Sequence, residues 1–204
     1  LRAFPNRLQF AHDTERTGGV GGSPNSVDWG KVKTPEWDKK FDSITDNKKL
    51  NSLIRDEALR MLEHRDNSDY EDLSIINATT NSLVGRSTNS RIAGETRYTE
   101  SIRHKMISAF GRGELLLAVH NHPNSFVPSF DDIFSMQGKK YTKSLVIGHD
   151  GSVVIIDKVS DAFMPFHHRE AMVKFMQAGN SDAESAILTL QELQKNGLIA
   201  WRRL

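Results

Sequence analysis

The sequence predicts a mixed α/β protein of the α+β kind, a mixed β-sheet flanked by helices and followed by a C-terminal helical extension. Three observations predict it. Between residues 45 and 64, Leu50, Leu53, Ile54, Ala58, Met61 and Leu62 recur at helical spacing with charged residues between them. Short apolar runs bounded by turn residues follow at 70–77, 83–85, 115–119, 143–148 and 153–157, and their lengths suit strands. Helical patterns fall between and after these runs. With 204 residues, 37% of them hydrophobic, the chain can bury one good core and carry a small appendage.

Residues 1–44 lack sustained periodicity and hold a glycine-rich stretch at 18–25, so they read as an irregular N-terminal arm. Phe4, Leu8, Phe10, Trp29, Trp37 and Phe41 are the side chains that would pin this arm locally. The central domain spans 45–159. Thr45 or Asp46 would cap its first helix, and the 70–77 and 83–85 runs flank a polar turn, as in a hairpin. Residues 86–97 are polar and form a loop or flap. A helix follows from about Thr99, with Ile102, Met106, Ala109 and Phe110 on one face and Gly111 and Gly113 ending it. After the strand at 115–119, Ser129 opens another helix. Strands at 143–148 and 153–157 enclose the tight turn His149-Asp150-Gly151-Ser152. In the extension, 160–204, a helix is expected over 169–177. Ser181 and Glu184 form a capping box for a last helix through Lys195, whose apolar face takes in Ile187, Leu188, Leu190, Leu193, Leu198 and Ile199.

Composition excludes several function classes. The 27 Lys and Arg nearly balance 26 Asp and Glu, leaving a net charge of +1 and no general pull toward nucleic acid or a membrane surface. There is no cysteine, so disulfides and thiolate metal sites are excluded and any metal must rest on histidine and carboxylate. No apolar run approaches the ~20 residues of a membrane span. The chain opens on Leu1 rather than Met, as expected for a piece of a longer protein.

The chemistry concentrates at 115–136. The apolar run leads directly into His120-Asn121-His122-Pro123. Residues two apart in a strand share a face, so His120 and His122 project together, and Pro123 stops the ladder behind them. Ser129 is a natural N-cap, and Asp132 lies in the first turn of its helix. Two imidazoles and a carboxylate on one strand–loop–helix corner make three ligands for a tetrahedral metal with the fourth position open, as in catalytic zinc sites. Asp131 is turned by about 100° from Asp132 and cannot face the same point. Elsewhere, His149 is expected to be exposed in its turn and His104 on a helix surface. His167 and His168 diverge, with no carboxylate at ligand spacing.

The order His120-x-His122-Pro123, then Ser129 and Asp132, resembles the JAMM/MPN (JAB) zinc metalloprotease signature. His-Asn-His-Pro resembles the bacterial, phage and RadC-type forms more than the eukaryotic deubiquitinases. The family pattern has seven residues between the second histidine and the serine, whereas this chain has six. The resemblance covers about residues 69–157 and implies a JAB/MPN-like core, cytidine-deaminase-like in layout. It implies Zn2+ on His120, His122 and Asp132, and Ser129 at the oxyanion. A glutamate near the first strand would be the general base. The chain offers Glu57, Glu63, Glu71, Glu95, Glu100 and Glu114. The resemblance matches Glu71, just ahead of an apolar run, and Glu95 on the flap is second.

So read, the protein is a zinc-dependent metallopeptidase or isopeptidase that cleaves a protein or peptide substrate through a metal-activated water. Two other readings stand beside it: a non-catalytic MPN-like assembly module, and a RadC-like accessory to nucleic-acid processing. The near-neutral charge and the lack of a basic–aromatic stripe count against the latter. The sequence names no compartment; a soluble, cytoplasmic, bacterial or phage-encoded protein is what the resemblance implies.

Overall fold

The central strand of the protein carries the candidate histidines at its end. The computed structural model describes residues 25–123, 127–139 and 141–204. The glycine-rich stretch through Pro24, and with it Phe4, Leu8 and Phe10, lies outside them. Six strands form one mixed sheet in the order β2-β1-β3-β4-β5-β6. They are β1 (Leu73–Asn77), β2 (Ser82–Ser87), β3 (Leu116–His122), β4 (Lys143–Gly148), β5 (Val153–Val159) and β6 (Ile199–Arg203). β3 runs parallel to β4; the other neighbouring pairs are antiparallel. The sheet is open, and helices cover both faces.

Every residue of β3 is buried, so its alternation decides which layer each side chain enters. Leu117 and Val119 join Leu145, Ile147, Val153 and Ile155 in a core covered by α1 (Pro35–Asp42) and α2 (Lys48–Arg65). Leu116 and Ala118 enter the opposite core with Leu73 and Ile75. That core is closed by α3 (Glu100–Gly111), α4 (Phe130–Lys139) and α6 (Asp182–Lys195) through Ile102, Met106, Ile133, Met136, Leu190 and Leu193.

The N-terminal region is less irregular than its sequence suggests. Thr34 accepts a hydrogen bond from the Trp37 amide at 3.1 Å, and Pro35 sits at the start of the helix, where its missing N–H costs nothing. Trp37 and Phe41, four apart, then lie on one face with ring centroids 4.7 Å apart, both buried. Two apolar residues in eight positions are too few for a periodicity to register. The cap of α2 is Asn47, not Thr45 or Asp46, because its side chain reaches the amides of Lys49 and Leu50. Residues 70–72, expected in the first strand, precede β1.

The C-terminal extension also differs. Pro165 is the first residue of α5 (Pro165–Gln177), so His167 and His168 lie inside this helix rather than before it. Gly197, with φ of 68°, reverses the chain after α6, and the Leu198 amide bonds back to the Leu193 carbonyl at 2.9 Å. Ile199 therefore starts a strand rather than extending the helix face, and β6 pairs with β5 along its length. The tail expected as helical is thus also the edge of the sheet, and Leu193, 1% exposed, packs in the same core as Leu116.

Leu193→Ala is therefore expected to lower unfolding free energy by about 2–5 kcal/mol, and Leu188→Ala, only half-buried, by about 1 kcal/mol. Urea denaturation of the two variants checks this; equal small losses would mean that the tail does not seal the core.

Candidate metal centre

The histidine pair owes its placement to β3 and β1. Leu73 pairs with His120 across the antiparallel ladder. The same register carried two residues further sets Glu71 opposite His122, and directly opposed residues share a face. The Glu71 Oε1 and His122 Nε2 atoms are 3.9 Å apart. Both residues are nearly buried.

The third donor comes from the first turn of α4. Ser129 Oγ accepts from the Asp132 amide at 3.2 Å, while Asp132 Oδ2 accepts from the Ser129 amide at 2.7 Å and from its hydroxyl at 2.8 Å. This reciprocal box, a common device for starting helices, also fixes the carboxylate. Asp132 Oδ1 lies 3.0 Å from His120 Nε2, and Oδ2 lies 3.3 Å from His122 Nε2. The two Nε2 atoms are 3.1 Å apart.

These distances suit a metal ion. Bonds of about 2.0–2.2 Å at tetrahedral angles put neighbouring donors about 3.3–3.6 Å apart, so only slight spreading is required. The chemistry agrees: two ring nitrogens and a carboxylate aimed at one point are the donor types that a divalent metal takes. A backbone hydrogen bond at Val127 also holds the His122 ring, the kind of outer contact that orients metal-ligating imidazoles. Among the described residues, His120, His122 and Asp132 are the group that could hold a metal, and the donor set alone does not single out zinc.

The electrostatics follow. Burial disfavours charge on His122, but Asp132, by hydrogen bond and charge, and Glu71 outweigh it and raise its pKa to about 9. Burial likewise opposes ionisation of Asp132, yet His120 and His122 hold it well below the usual carboxylate range. Neighbouring Asp131 is pushed up, by burial first and then by the charges of Asp132 and Glu95.

The other candidates fall elsewhere. The Glu95 carboxylate pairs with Arg97 at 2.6 Å. His104 is exposed, as expected. His168 packs against Phe130, with centroids 5.5 Å apart, and burial lowers its pKa to about 4, so it behaves as an aromatic filler. His149 is a correction: it is 3% exposed, not solvent-facing. Its Nδ1 bonds the Asn25 carbonyl at 2.8 Å, and burial lowers its pKa.

Sequence reasoning missed the polar layer on the α2 side of the sheet. Asp72, fully buried, accepts from Arg60 Nη1 at 2.8 Å and Arg65 Nε at 2.5 Å, and meets His64 Nδ1 at 3.0 Å. Arg65 Nη2 also reaches the Thr88 carbonyl at 2.6 Å. Asn121 joins this layer. Its period-2 offset from His120 and His122 was a usable signal, since it had to face away from them.

No helix among the described residues is long and apolar enough to cross a membrane. No protein-family model matches the chain, and neither the curated proteins nor the solved structures contain a match.

A metal takes neutral imidazole, whereas Asp132 and Glu71 keep His122 charged at neutral pH in the metal-free chain. Metal uptake near pH 7 is therefore expected to expel about one proton, with apparent affinity rising as pH approaches about 9. The stability that the charged His122 lends the metal-free chain is full below its unfolded value of 6.5 and is lost as pH rises through about 9. Calorimetric titration in buffers of different ionisation enthalpy measures the proton count; zero protons would show that His122 starts neutral.

Proposed function

We propose that the protein is a metal-dependent peptidase or isopeptidase, with zinc on His120, His122 and Asp132. The observation that carries this is the Glu71 carboxylate 3.9 Å from His122 Nε2, beside three converging donors at one end of the sheet. Among the described residues three donors converge, which leaves a fourth position for water as in catalytic rather than structural zinc sites, and a carboxylate beside that position is the base that hydrolysis needs. The motif's resemblance to JAMM/MPN metalloproteases points the same way.

Zinc held by these residues would supply Lewis-acid polarisation of the scissile carbonyl and acidify water. The remaining work belongs to the chain. Glu71 takes a proton from the attacking water as the carbonyl becomes tetrahedral, then passes it to the leaving amine as the C–N bond breaks. Its partial burial keeps bulk water from competing for that proton. Asp132, tied to Ser129, holds the ligand geometry rigid. Ser129 has a single hydroxyl proton, directed at Asp132 Oδ2. To stabilise an oxyanion it must turn that proton toward the substrate, so its part in catalysis is smaller than that of Glu71.

Variants separate these roles. Glu71→Gln is expected to keep the fold and the metal and lose roughly 10²–10⁴ in kcat on a fluorogenic peptide. His122→Ala is expected to lose metal and activity together. Ser129→Ala costs about 10²–10³ in rate if the hydroxyl serves the oxyanion, or about 1 kcal/mol of stability if it only caps α4. Full activity in Glu71→Gln with none in Glu95→Gln would move the base to the flap. Bound metal without turnover of any peptide would favour the assembly-module reading.

A further inference from the structure

Between the two histidines, Asn121 points the other way, and all its polar atoms are engaged. It is fully buried. Its Oδ1 accepts from the Asp72 amide at 2.7 Å, and its Nδ2 donates to the Tyr70 carbonyl at 3.3 Å. The second Nδ2 proton goes to His149 Nε2 at 3.1 Å. That direction follows from the next link. His149 Nδ1 faces a carbonyl, so it must carry the ring proton, which leaves Nε2 as the acceptor. The amide orientation is therefore determined by its partners rather than arbitrary.

The two peptide groups that Asn121 grips belong to the residues on either side of Glu71. β1 begins only at Leu73, so the segment carrying Glu71 lacks a full ladder to hold it. Its backbone tie to β3 is the Asn121 amide on the Asp72 carbonyl, at a long 3.4 Å. The side chain of Asn121 extends the sheet at this point, standing in for the peptide groups a longer strand would offer. Because it sits between His120 and His122, it refers the position of Glu71 to the backbone that aims the two rings.

We propose that Asn121 is a positioning residue for Glu71: its amide clamps Tyr70 and Asp72 and thereby holds the carboxylate beside the histidine pair. This rests on the reading of Glu71 as the base. A rigidly held base is worth much in rate, since a misplacement of about 1 Å can cost about 10²-fold. Alanine removes all three contacts. Aspartate at this position keeps an oxygen for the Asp72 amide and loses the donors.

The test compares the full chain with Asn121→Ala and Asn121→Asp by amide exchange, metal content and peptide turnover. It then repeats Asn121→Ala in the Glu71→Gln background. In Asn121→Ala, metal stoichiometry is expected to hold, the Asp72 amide to exchange about tenfold faster or more, and kcat to fall about 10–100-fold with KM little changed. Asn121→Asp recovers part of both protection and kcat, and it serves as the reporter should the alanine variant fail to fold. Added to Glu71→Gln, the alanine costs nothing further, because both changes act through one carboxylate. Metal lost with Asn121→Ala, or two losses that multiply in full, would overturn the positioning role. Unchanged Asp72 exchange would overturn the clamp without any turnover being measured. A fully active Glu71→Gln would instead refute the base, and Asp72 exchange would still decide the clamp.

Discussion

The antiparallel pairing of β1 with β3 is the constraint on which the rest of the site depends. Leu73 opposite His120 puts the odd-numbered residues of β1 on the same face as the even-numbered residues of β3. A slip of one residue would turn β1 over while β3 stayed fixed by its pairing with β4. Leu73 and Ile75 would exchange cores with Ser74 and Ile76, and Glu71 would face α2. The apolar layers on both sides of the sheet therefore hold the register, and the register delivers Glu71 to His122. Packing energy spread over two cores is what makes the placement of one carboxylate dependable.

At the end of the sheet the two faces are both polar but do different work. The α4 face holds Glu71, His120, His122 and Asp132, where Asp132 and Glu71 outweigh burial to raise the pKa of His122, and the two histidines outweigh burial to lower that of Asp132. The α2 face holds Asp72, Arg60, Arg65 and His64 in hydrogen-bonded pairs. Nearby, Glu57 accepts from Arg86 and Ser74, which outweigh its burial and lower its pKa. Buried charges are costly unless every lone pair and proton has a partner. Removing one member of such a layer leaves a partner's charge buried and unpaired, which is strongly destabilising.

The edges of the molecule bear on the same region. Val27 and Trp29 both bond to Asp66, and the Asp28 amide bonds the His149 carbonyl at 2.8 Å, so the segment entering α1 is strapped across the turn that precedes Glu71. At the far side, β6 covers β5, and α6 seals the core beneath α4. Both termini of the described chain thus brace the sheet.

The sequence by itself determined a good deal. Periodicity placed α2, α3, β3, β4, β5 and α6, because each buries a stripe or a face long enough to leave a repeat. The cluster of His120, His122 and Asp132 was legible because its members are local: two strand positions on one face and a first-turn carboxylate ten residues on. What only the tertiary structure decided involves residues brought together over long separations or elements too short to show a pattern. Eight residues of α1 rest on Trp37 and Phe41 alone. β6 is a strand because Gly197 turns it back onto β5, which no local propensity requires. His149 lies in its expected turn, yet it is buried because residues 25–28 cross over it. Asn121 and Asp72 lie 49 positions apart along the chain, and their hydrogen bond exists only once β1 has found β3. Local chemistry is written in spacing, whereas the support beneath the site comes from strand pairing, which the chain acquires only on folding.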